Sequence, residues 1–337
     1  MKTRIVISVS LIVVALAMAN LLPIQAQKPQ PAHAGPQLQT QPPILDAGAR
    51  RNPLKIALLH WYLADTATSV TVGSQPYGVC FDGANIWTAN FGDATVTKVR
   101  ASDGQVLGTF NAGSGPFGVT FDGANIWVSD TNFHTVTKLR ASDGKTLGTF
   151  TVGNAPEWMT FDGQAIWVSN GGDNTVTKLR AFDGANLGTF PVGNAPIAMA
   201  FDGSAVWSSN YGGNTVTKLR ASDGAVLGTF GVGNNPLGIA FDGANMWVAN
   251  RNSDTVTKLR ASDGKVLGTF PTPPSAGPYG IAFDGTYVWV SGDSYTLVLR
   301  ASDGAQVASY NLQTSGVAFD GAYVWMGETS FNALYKF

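Results

Sequence analysis

The chain has 337 residues, 44% of them apolar, with 40 glycines and only 13% charged residues. That is enough apolar material for a sizeable core, and it favours turn-rich β structure over long helices. A formal net charge of −1 gives no electrostatic ground for a nucleic-acid or anionic-membrane partner, and a lone cysteine, Cys80, excludes an intrachain disulfide.

Residues 1–26 read as a secretory signal. Lys2 and Arg4 precede the apolar run Ile5 to Ala19, and Ala17-Met18-Ala19 and Ile24-Gln25-Ala26 offer small-residue cleavage points. An uncleaved anchor is the alternative, because Ile5 to Ala26 is nearly long enough to span a bilayer. Either form places the protein outside the cytoplasm, secreted or periplasmic. Residues 27–55 are rich in Pro and Gln, cannot bury a core, and read as a disordered linker. Residues 56–337 form the folded domain, which opens on the apolar run Ile56 to Tyr62, readable as an extra strand or as a helix.

From there the sequence repeats. Phe-Asp-Gly begins at 81, 121, 161, 201, 241, 283 and 319, a period of 40 residues with one longer and one shorter interval. TVTKLRASDGKTLGTF at 135 keeps step with relatives at 95, 175, 215 and 255, and the copy starting at Tyr295 is eroded. One unit holds four strand candidates: Phe117 to Phe121, Asn125 to Ser129, Thr135 to Arg140 and Thr146 to Val152. Asp-Gly turns, which tolerate positive φ, join the first to the second and the third to the fourth. Four-stranded units without helices predict an all-β, seven-bladed β-propeller of antiparallel blades. The last unit holds three strands, and Ser69 to Gly73 matches the missing fourth, so the N-terminal strand is expected to complete the last blade and close the ring. Seven tryptophans, Trp87, Trp127, Trp167, Trp207, Trp247, Trp289 and Trp325, fall at one place per unit and fill the wedges between blades. Cys80 stands at a strand position held by small residues in other units and reads as structural.

The Asp-Gly turns lie on one face of such a ring and vary little. The loops of the opposite face vary, and binding residues are usually carried on such loops. The position after the loop proline reads Tyr77, Phe117, Glu157, Ile197, Leu237, Tyr279 and, without its proline, Ser315, and Trp158 replaces a usual glycine. Loops between strands two and three add Phe91, Phe133, His134, Tyr211, Arg251, Asp293, Glu328 and Phe331. This aromatic set with a few charges suits a small ligand, a glycan or a protein partner; the other reading is that the rings plug the central channel. The ligand-binding candidates are therefore Tyr77, Phe91, Phe117, Phe133, His134, Glu157, Trp158, Tyr211, Arg251, Tyr279 and Glu328. Asn90, Asp130, Asn170, Asn210 and Asn250, at the ends of second strands, read as loop caps.

Glu157 and Glu328 are the only glutamates. As a pair they suit acid/base work or a divalent cation, and separately they are solvated side chains. The three histidines, His33, His60 and His134, are not at ligand spacing, no serine stands in a nucleophile elbow, and no Asp-x-Asp-x-Asp-Gly loop is present. The residues thus name no catalytic group and no cofactor beyond that cation.

The pattern P-x-G-x-x-F-D-G-x-x-x-W-V-x-N followed by T-V-T-K-L-R-x-x-D-G-x-x-L-G-T-F-x-V-G resembles secreted bacterial YVTN-type and NHL-like propellers over about Ser69 to Phe337. These include the virginiamycin B lyase-like propellers, for which the resemblance implies metal-assisted His and Glu chemistry. This chain lacks a His pair and carries only Glu157 and Glu328. The expectation is a secreted, monomeric, non-enzymatic binding propeller that uses its variable-loop face. The alternatives are a metal-assisted lyase or lactonase-like enzyme and a structural envelope module.

Overall fold

The computed structural model describes residues 68–337. The signal, the linker and the unassigned run Ile56 to Tyr62 lie outside the described residues. What is described is seven four-stranded antiparallel sheets, each built from chain neighbours except the last. In blade two the strands are Pro116–Phe121, Asn125–Asp130, Thr135–Arg140 and Thr146–Thr151, in that spatial order from the axis outward. The predicted strands match these within a residue or so. The seventh blade takes its inner three strands, Val317–Phe319, Val324–Glu328 and Ala333–Lys336, from the C-terminal part of the chain. Its outer strand is Thr68–Thr71, paired antiparallel with Ala333–Lys336 in a register that sets Val70 opposite Leu334. The ring closes between the two ends of the described chain.

Each Asp-Gly of the first hairpin does two jobs. Asp122 Oδ1 accepts the backbone N–H of Ala124 at 2.9 Å and of Asn125 at 2.6 Å, while Gly123 takes φ +96°. The other carboxylate oxygen accepts the indole N–H of Trp127 at 2.7 Å. All seven repeat tryptophans are held this way by their own hairpin aspartate. A buried indole N–H needs an acceptor, so one carboxylate fixes both the turn and the ring.

The repeat lysine is a structural residue that the sequence reading did not reveal. Cross-strand register puts Lys138 opposite Trp127. Its Nζ lies 5.0 Å from that ring's centroid and donates to Ala181 O of the next blade at 2.6 Å. Lys98, Lys178, Lys218, Lys258 and Lys336 make the same clasp to Ala141, Ala221, Ala261, Ala301 and Ala101. Between blades six and seven the position is Val298, opposite Trp289. Aromatic packing replaces the clasp: Phe337 lies 5.7 Å from Trp289 and 5.3 Å from Tyr310 between ring centroids.

Toward the axis, the inner strands approach through glycine. A Cβ on Gly118 would stand 2.5 Å from Glu157 O of the next blade. Beside it, Ser129 Oγ accepts Gly118 N–H at 2.8 Å and donates to Glu157 O at 2.5 Å, tying the two blades together.

Candidate binding face

The inner ring of the variable-loop face is an aromatic layer. Tyr77 stacks on Phe117 with centroids 4.9 Å apart, and Phe91 meets both rings edge-on at 5.9 and 6.3 Å. Trp158 meets Phe117 edge-on at 4.6 Å and reaches Tyr279 at 5.7 Å. Trp158 belongs to blade three and Tyr279 to blade six, so their contact crosses the axis. On its Asp-Gly side lies a cavity of about 370 Å³, walled by the inner strands of all seven blades, with Cys80 and Thr120 among its few polar side chains. Burial pushes the Cys80 thiol up, out of the thiolate range, which is the inert behaviour of a structural cysteine.

The two readings of the loop aromatics therefore divide between residues. Tyr77, Phe117, Trp158 and Tyr279 close the channel, whereas Phe133 and Phe331 are 65% and 75% exposed. Corresponding loop positions in blades one, three and five hold Asp93, Asp173 and Ser253. Each of these accepts a backbone N–H from the loop entering its own blade, at Ser74, Asn154 and Asn234. Phe133 and Phe331 make no such hydrogen bond and put a ring into solvent; in blade two the Ser114 N–H goes to Asp130 instead.

His134 sits in left-handed backbone, φ +57°, where blades three and four have Asn174 and Asn214. Its Nδ1 accepts Ala155 N–H at 3.1 Å, as the Asn174 and Asn214 carbonyls accept Ala195 and Asn235 N–H. It is a loop brace that requires the Nε2–H tautomer. The Tyr211 backbone carbonyl accepts the Asn235 amide at 3.1 Å. Arg251 pairs with Asp293 of the next blade at 2.7 and 3.0 Å and lies 5.9 Å from the Tyr279 ring centroid, at the edge of an open polar depression.

The two glutamates have different fates. Glu328, 1% exposed, accepts the backbone N–H of Ser330 at 2.9 Å and that of Phe331, so it caps its own loop. Asp130 does the same through Ser114, Gly115, Asn132 and Phe133 N–H. The asparagines expected as caps work differently in part: Asn90, Asn170, Asn210 and Asn250 turn their amide N–H groups to threonine hydroxyls of the third strand. Glu157 sits in the inner ring. Burial raises its carboxyl to about 7, and its charge in turn helps hold the Tyr279 phenol up, behind that phenol's own burial. Among the described residues, no group of three or more His, Cys, Asp and Glu is placed to hold a metal ion, and no helix is long and apolar enough to cross a membrane.

Sheet count, blade order and closure define the described chain as a seven-bladed β-propeller. No protein-family model matches the sequence, and no curated protein matches it. Solved propellers do. A catalytically inactive histidine-to-alanine variant of virginiamycin B lyase from Staphylococcus aureus, solved with quinupristin, is similar at TM-score 0.70 and 18% identity, over 80% of this chain and 98% of that one. A streptogramin B lyase structure is similar at TM-score 0.69 and 17% identity, over 80% of this chain and 96% of that one. Hydrazine synthase from Kuenenia stuttgartiensis gives the same figures. At these identities the likeness is one of fold.

Proposed function

We propose that the protein is a binding propeller, exported to the cell exterior or periplasm, that captures a ligand or protein partner on its variable-loop face. The observation that carries this reading is the pair Phe133 and Phe331. At a position where sister loops use a side chain to brace their own backbone, these two leave large apolar rings mostly in water. In blade two Asp130 supplies the brace instead, so the exposed ring is not needed to hold the loop; exposed aromatics of this kind favour a contact surface. The test is binding of the full chain to glycan and peptide arrays, beside the double variant Phe133→Ala/Phe331→Ala. We expect array signals to fall at least ~10-fold with an unchanged melting temperature, as for loss of exposed aromatic anchors. Equal binding by the two proteins would remove the reading.

A second reading, a metal-assisted lyase or lactonase-like enzyme, draws support from Glu157, a half-buried acid whose raised pKa suits proton transfer near neutrality. It needs a second group, and Glu328 is committed to its own loop. Lactone hydrolysis that is lost in Glu157→Gln would favour it.

A further inference from the structure

Resting on the same face as the reading above, one residue specifies more. Glu157 stands where the other blades place Tyr77, Phe117, Ile197, Leu237, Tyr279 and Ser315, so it is the one acid of the inner ring. Its own blade opens the space beside it. At the position of Phe91, Tyr211 and Arg251, blade three has Gly171, and a Cβ there would lie 3.6 Å from Glu157 Cγ. A larger side chain would cover the carboxyl. No described residue donates a hydrogen bond to that carboxyl, and no described cation pairs with it. Arg251, the only Lys or Arg among the described loops of this face, is already held by Asp293.

We propose that Glu157, in the inner ring that also holds Trp158 and Tyr279, receives a protonated organic amine carried by the ligand of this face. A half-buried carboxylate without a counterion is costly, and an arriving ammonium supplies the missing charge. A hard divalent ion fits less well, since calcium and magnesium need six or more oxygen ligands and a lone carboxylate among aromatic rings offers two.

Charge on Glu157 governs the site, so capture of the amine releases the carboxyl proton. With the free acid titrating at about 7, the ionised fraction rises about tenfold from pH 6 to pH 8, and amine affinity rises with it. The other titratable groups around this part of the face are Tyr77, Tyr211, Tyr279, Arg251, Asp293, Asp173 and His134. His134 is the one that needs a control, and His134→Asn restores the residue that its sister loops use.

The experiment is calorimetry on the full chain with two matched probes, 2-phenylethylammonium and 2-phenylethanol. At pH 8 we expect the ammonium to bind at least ~10-fold more tightly, as a charge-assisted contact should. The preference should vanish in Glu157→Gln, which keeps alcohol binding, and shrink toward pH 6 in both the unchanged protein and His134→Asn. Equal binding of the two probes, an undiminished preference in Glu157→Gln, or no ammonium binding at millimolar concentration each overturns the proposal. If array binding still depends on Phe133 and Phe331, only the amine site falls and the binding face stands.

Discussion

Two aspartates in each repeat look alike on paper, both followed by glycine, yet they carry very different loads. Asp122 satisfies two backbone N–H groups and the Trp127 indole in a half-buried position. Asp143, in the outer turn, accepts one N–H from Lys145 and an exposed pairing from Arg140 at 3.1 Å. Asp122→Ala should therefore cost about 2–4 kcal/mol by stranding a buried indole donor and two turn amides. Asp143→Ala should cost under ~1 kcal/mol, as exposed ion pairs do. Thermal melting of the two variants side by side checks this, and equal losses would contradict the assignment. At this scale the sequence disclosed the turns but not the indole bond. That bond depends on a hairpin folding Trp127 back over residue 122, which becomes visible once the strand pairing is drawn.

Among elements, the blade-to-blade clasp matters most. A buried lysine ammonium is tolerable because it finds a carbonyl of the next blade and the face of a tryptophan. Val298 marks the interface that aromatic packing holds instead. Val298→Lys should accordingly destabilise the protein by at least ~2 kcal/mol by burying a charge at an interface packed by Trp289, Tyr310 and Phe337, although it restores the repeat consensus. A melting temperature equal to or above that of the unchanged protein would refute this account. Blade count and strand limits were legible because Asp-Gly turns recur on a fixed period and each strand is bounded by them. The clasp was hidden because Lys138 and Arg140 look interchangeable as surface charge and share one face of the strand; only position separates them, Lys138 lying opposite Trp127 and Arg140 at the strand end beside Asp143. The Trp158–Tyr279 contact was hidden for another reason. Those residues are 121 positions apart, and only ring closure brings blades three and six together. His134 was read as a binding candidate; its place among Asn174 and Asn214 in aligned repeats is the signal of the brace that the reading passed over.

For the molecule as a whole, closure rests on four residues. Thr68–Thr71 supplies the outer strand of blade seven, and Val72 N–H adds a bond to Asn332 O at 2.8 Å. Deleting residues 68–71 exposes the edge of Ala333–Lys336 and uncovers the cluster that Val70 helps to pack. We expect a lower melting temperature and concentration-dependent association in size-exclusion chromatography, since an unpaired edge invites another strand. Melting and elution unchanged from the intact chain would show that the ring holds without its outer strand.

The gap in the lysine clasp also bears on how such a ring can change its size. Blades one to five present the same donor on one side and the same acceptor on the other. A duplicated or deleted 40-residue unit among them would meet partners it already fits. Blades six and seven do not share that freedom, because Val298, Tyr310 and Phe337 are matched to one another and to the strand arriving from the far end of the described chain. Growth or loss of blades is thus confined to one arc of the ring, and the seam is the fixed mark from which they are counted.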